Sequence, residues 1–155
     1  MSTYQGWAAA RQPLPPAALA RRLTYLLGRT AAVAGRRASQ KLAALGFDTR
    51  HYAVLAAIGE SAGPSQQEVA GMLGIDRATL VALADDLEGQ GLIERTRSGQ
   101  DRRAYSLRLT DAGTAAMNQA DALMDECDDE VTRVLTAAER AQLAGMLARM
   151  FAAAS

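Results

Sequence analysis

Residues 65–113 constrain the fold most, because within them the hydrophobic period changes from that of a helix to that of a strand and back. A cap or a glycine stands at each change. Ser65-Gln-Gln-Glu68 is a capping box, so a helix begins there, and Gly74 ends it. Asp76 caps the next helix, whose Leu80, Leu83, Ala84 and Leu87 form a buried stripe and which Gly89 and Gly91 stop. Residues 92–97 and 104–109 read as strands, since Tyr105, Leu107 and Leu109 alternate with Ser106 and Arg108. Residues 98–103 join them as a basic loop, and Thr110 caps a long helix. Two short helices held by a turn present one side-chain face to a DNA groove, and an adjoining hairpin with arginines at its tip reaches the backbone or the next groove.

The flanks are helical. Residues 1–16, with Gly6, Pro13, Pro15 and Pro16, read as an arm. From residue 17 to about 45, Leu19, Leu23, Leu26, Ala31, Ala34, Ala38, Leu42 and Leu45 recur at helical spacing and predict one long helix of ~40 Å. Gly46 breaks it, and Asp48 or Thr49 caps a helix running through Ile58. After Thr110, the positions Gly113, Met117, Ala120, Met124, Cys127, Val131 and Val134 alternate gaps of four and three, a seam that packs against another helix. Thr136-Ala-Ala-Glu139 opens a last helix with Leu143, Met146, Leu147 and Met150 inward. The chain therefore reads as mostly α with a small β-hairpin. An arm (1–16) precedes a helical dimerisation region (17–46 and 110–155) that flanks a central lobe (47–109). The terminal helices are too apolar and too long to satisfy one another, and a two-fold dimer through them resolves this.

Net charge is zero, from 17 basic and 17 acidic residues, so the bulk balance carries no sign of a polyanionic partner. The distribution does. Residues 1–50 hold eight basic side chains against Asp48 alone, and the hairpin adds Arg95, Arg97, Arg102, Arg103 and Arg108 against Glu94 and Asp101. The single cysteine, Cys127, excludes an intrachain disulfide and fits a reducing compartment. No basic segment followed by an unbroken apolar stretch opens the sequence, and a soluble, cytoplasmic protein is expected. Acidic neighbours from Asp125 to Glu130 raise a thiol pKa, so Cys127 reads as core rather than as a redox sensor. Asp121, Asp125 and Asp129 share a helix face without any histidine and read as a solvated surface, so no metal or cofactor is expected. His51 and Cys127 lie in different lobes and no nucleophile–base pattern occurs, which argues against an enzyme.

In their order and spacing, Ser65-Gln-Gln-Glu-Val-Ala70, Leu73-Gly-Ile-Asp-Arg-Ala-Thr79, Leu87-Glu-Gly-Gln-Gly-Leu92, Asp101-Arg-Arg103 and Leu107-Arg-Leu-Thr-Asp-Ala-Gly113 resemble the winged helix-turn-helix of the MarR (multiple antibiotic resistance regulator) family of transcription regulators. The resemblance implies a homodimeric repressor on double-stranded DNA. Its two recognition helices would enter successive major grooves of a pseudo-palindromic operator, about one helical turn apart. Arg77 would read guanine, and Ala78, Val81 and Ala82 share its face, where Ala78 or Val81 can touch a thymine methyl. Ser65, Gln67 and Thr79 are placed for phosphates. Arg103 resembles the family's minor-groove arginine, with Asp101 bracing the loop and Arg97 and Arg102 clamping the backbone. The chain departs from the family pattern at Ala82 and Asp86, where basic residues are common. Asp85, Asp86 and Glu88 add negative charge that predicts a shallow salt dependence.

Family members often bind small phenolic or anionic effectors between the two lobes. Tyr25, Arg29, His51 and Tyr52 are the candidate lining for an aromatic or carboxylate effector here. Two other readings stay open: a regulator with no ligand, and a winged-helix interaction adaptor that does not touch DNA.

Overall fold

The computed structural model describes residues 15–97 and 105–154. Most of the arm, the wing tip with Asp101, Arg102 and Arg103, and Ala104 lie outside the described residues. The elements are α1 (Ala17–Ala20), α2 (Leu23–Leu42), α3 (Thr49–Gly59), α4 (Gln66–Leu73), α5 (Arg77–Gly89), β1 (Ile93–Arg97), β2 (Tyr105–Leu109), α6 (Asp111–Thr132) and α7 (Ala137–Ala154). The fold is mostly helical with one antiparallel hairpin, in the register Ile93↔Leu109, Arg95↔Leu107 and Arg97↔Tyr105.

Local chemistry sets most boundaries. Asp48, Ser65, Asp76 and Thr110 each accept hydrogen bonds from the first turn of the helix they precede, satisfying amides that have no partner inside it. Gly46 and Gly74 take left-handed conformations at φ 83° and 63°, which end the preceding segments. Gly113 is required for a different reason. A Cβ there would lie 1.8 Å from the Leu92 carbonyl oxygen, so α6 starts hard against the chain entering β1.

One continuous core joins Leu42 and Phe47 to Val54, Leu55 and Ile58 of α3, Val69 of α4 and the Leu80, Leu83 and Leu87 stripe of α5. Ile93, Leu107 and Ala120 close it. The predicted seam of α6 is buried at Gly113, Ala120 and Cys127 and half-buried at Met117, Met124 and Val131. It packs on α2 and α3, but its last expected member, Val134, lies past the end of α6 and is 82% exposed.

Two expectations fail. The single helix from residue 17 to 45 is three pieces: α1, α2 and a 3-10 turn at Ala43–Leu45. Arg22 is extended (φ −97°, ψ 113°), and Leu19 and Leu23 on either side are exposed, so among the described residues no packing supports helix through the break. The inward assignment of α7 is also wrong within the chain. Leu143 is half-buried, but every residue from 144 to 153 is exposed, Met146, Leu147 and Met150 among them. The apolar stripe is present, but among the described residues of its own protomer no surface covers Met146, Leu147 and Met150.

Candidate nucleic-acid interface

Burying Leu80, Leu83, Ala84 and Leu87 turns the opposite side of α5 outward, so Arg77, Ala78 and Ala82 are exposed and Val81 is half-buried. Beside this face, α4, α5 and the base of the hairpin enclose an open cleft of about 560 Å³ whose walls include Gln66, Gln67, Arg77, Val81, Arg95 and Tyr105. An isolated bridge between Ser65 and Ser106, with the Leu107 N–H donating to the Pro64 carbonyl at 2.8 Å, fastens the start of α4 to β2. The helix pair and the hairpin are thus one unit.

The hydroxyls expected near phosphates are committed to caps. Ser65 Oγ donates to Glu68 Oε2 at 2.8 Å, and Thr79 Oγ1 donates to Asp76 Oδ2 at 2.6 Å. The Ser65 amide and hydroxyl hold the Glu68 carboxyl below its usual range, and the Thr79 hydroxyl and amide do the same for Asp76. Gln67 is exposed in the cleft, and Arg97 ends β1.

Sequence reasoning missed the partners of the acids on α5. Arg95 is on the same face of β1 as buried Ile93 and donates to both Asp85 (Nη2–Oδ1 2.5 Å) and Glu88 of α5. With its amide oxygen turned toward the guanidinium, Gln66 of α4 also accepts from Arg95, at 3.0 Å from Nε and 3.2 Å from Nη2. Asp86 meets the ring of His51, Nε2 to Oδ2 at 2.9 Å. A signal existed. An arginine two residues from a buried isoleucine shares its strand face, and its guanidinium has to find carboxylates there.

The four residues expected to line an effector pocket have separate surroundings. His51 belongs to the α3 capping box, with Nδ1 2.9 Å from Asp48 Oδ1, while its other nitrogen faces Asp86. Burial pushes the Asp48 carboxyl up, but hydrogen bonds from Arg50 and His51 prevail and hold it well below the ordinary carboxylate range. The Tyr52 hydroxyl donates to Asp121 on α6 at 2.7 Å. That bond, burial and the nearby Asp125 and Asp128 raise its pKa to about 12. Tyr25 is half-buried and Arg29 exposed, both in the N-terminal half of α2.

Cys127 is buried, and its thiol pKa is raised by burial and then by Asp128 and Glu130. Lys41 spans from α2 to Glu126 and Glu130, each at 3.0 Å. Among the described residues no group of His, Cys, Asp and Glu side chains is placed to hold a metal ion, and no helix is long and apolar enough to cross a membrane.

A helix-turn-helix followed by a paired hairpin and carried between long helices defines a winged helix-turn-helix protein. The profile of the MarR family matches residues 45–104. A transcriptional regulatory protein for the hcr operon of Thauera aromatica is 34% identical over 100 residues, and the match spans 60% of that relative's length. A structure of the transcriptional repressor CouR bound to a 23-mer DNA duplex superposes with TM-score 0.82 at 34% identity, covering 90% of this chain and 99% of that one. CouR from Rhodococcus jostii RHA1 bound to p-coumaroyl-CoA gives TM-score 0.76 at 28% identity, over 85% and 93% of the two chains. The chain belongs to the MarR family and is a transcriptional regulator of that family.

Proposed function

We propose that this regulator is a homodimeric repressor that grips a pseudo-palindromic operator through α5 and the wing and is released by a small anionic aromatic ligand. The carrying observation is the outward face of α5, where Arg77, Ala78 and Ala82 are exposed beside the cleft that Gln67 shares. Arg77 reads a guanine edge, Ala78 and Val81 meet thymine methyls, and Ala82 lets the helix approach closely. Gln67 contacts phosphate directly. Ser65, the N-cap of α4, and Thr79, in the first turn of α5 behind its cap Asp76, have occupied hydroxyls and contribute through those helix N-termini. Arg97, Arg102 and Arg103 supply the wing contacts, with Asp101 bracing the loop.

Dimerisation is supported by the exposed apolar side chains of the terminal helices: Leu23 at 75% exposure on α2, and Met146 at 46% and Met150 at 53% on α7. The ligand class is supported by the p-coumaroyl-CoA carried by the R. jostii relative. Tyr25 and Arg29 remain the candidates for its contacts, and His51 and Tyr52 would have to leave Asp86 and Asp121 to join them. Regulation rather than catalysis, in the cytoplasm, fits both the kinship and the residue inventory.

The test is binding to DNA from the protein's own promoter region. Arg77→Ala is expected to cost about 1–3 kcal/mol of binding and relax preference at one base pair. Unchanged affinity in that variant counts against the assignment. For the ligand, p-coumaroyl-CoA is expected to raise the melting temperature more than p-coumarate or CoA alone, and equal shifts from all three would reject a dedicated thioester site.

A further inference from the structure

Arg77, Val81 and Asp85 follow one another at four-residue spacing on α5 and line the same cleft, so a carboxylate sits on the side of the helix that faces DNA in the reading above. Glu88 is one turn further on. Two unshielded carboxylates there would repel phosphates at a distance where screening is incomplete. Both are taken up by one guanidinium. Arg95 reaches Asp85 and Glu88 from β1 while Gln66 of α4 accepts from its remaining edge, and only 20% of its side chain is exposed. We infer that Arg95 is a positioning residue for DNA binding: it masks the acids of α5, without itself contacting the duplex. The inference rests on the DNA-binding reading and adds a residue to it. It also accounts for a recognition helix this acidic, because Asp86 is likewise faced by a ring nitrogen of His51.

The experiment measures binding of the full chain to a labelled mixed-sequence DNA duplex as a function of salt, beside its far-UV spectrum and melting temperature. Arg95→Ala is expected to weaken binding about tenfold. Adding Asp85→Asn and Glu88→Gln to that variant is expected to restore affinity to at least the parent level, because the repelling charges go while the clamp stays broken. A merely structural arginine would not be rescued in this way, and failure of the rescue overturns the inference. Unchanged binding by Arg95→Ala overturns it as well, with the DNA-binding reading left standing. Absence of binding by the parent protein removes both. Should Arg95→Ala not fold, Arg95→Gln takes its place, and rescue of its weakened binding by Asp85→Asn with Glu88→Gln again decides.

Discussion

Gly113 shows how a single residue can hold two parts of the chain at a fixed distance. Thr110 Oγ1 donates to the Gly91 carbonyl at 2.7 Å and accepts from the Gly113 amide at 2.9 Å, so the first turn of α6 is tied to the chain leaving α5. No side chain fits between Gly113 and the Leu92 carbonyl. Gly113→Ala is therefore expected to lower unfolding free energy by about 3 kcal/mol in urea titrations, the upper end of overpacking costs. Gly71 is the contrast. It lies inside α4 with open space where a Cβ would go, and Gly71→Ala is expected to stabilise by about 0.5–1 kcal/mol through helix propensity alone. If both substitutions shift stability alike, the close approach at Gly113 is not what the residue is for.

Among the elements, α3 carries the clearest dependence on a terminus. Asp48 caps it, receives hydrogen bonds from the Arg50 and His51 amides at 2.9 and 3.3 Å, and is further held by the Arg50 guanidinium. Asp48→Ala is expected to cost about 1–2 kcal/mol at neutral pH. The sign with pH follows from the depressed carboxyl. The folded state binds the proton less readily than the unfolded chain, so the stabilisation is complete above about pH 4 and is lost as pH falls from there toward the folded value. Parent and variant unfolding curves should converge in acid, and a constant gap would contradict the cap. Elements of this kind were legible in the sequence because their determinants are local. Asp48, Ser65, Asp76 and Thr110 act within four residues, and the leucine stripe of α5 announces its own buried face. What escaped had long-range causes. Nothing near Arg22 in the sequence tells that Leu19 and Leu23 stay exposed. The pairing of Arg95 with Asp85 and Glu88 depends on how the hairpin folds back over α5. Residue type groups His51 and Tyr52 with Tyr25 and Arg29, whereas packing turns them toward acids on two different helices, Asp86 of α5 and Asp121 of α6.

The whole molecule divides its burial unevenly. The core runs from Leu42 to Ala120, while α7 contributes little to it and keeps Met146, Leu147, Met150 and Phe151 open to solvent. Charging that surface with Met146→Glu and Met150→Glu is expected to halve the mass seen by sedimentation equilibrium, with the spectroscopic signature of the winged portion preserved. A variant that keeps the parent mass counts against the proposed dimer through α7.

That uneven burial ties order to abundance. With α7 shielded by a second copy, as proposed, its amides should exchange with deuterium faster as the sample is diluted, while those of α3 and α5 keep their protection. Scarcity would then loosen the frame that spaces the two DNA-reading helices before it unfolds either of them, so the regulator's grip would fade with its own concentration.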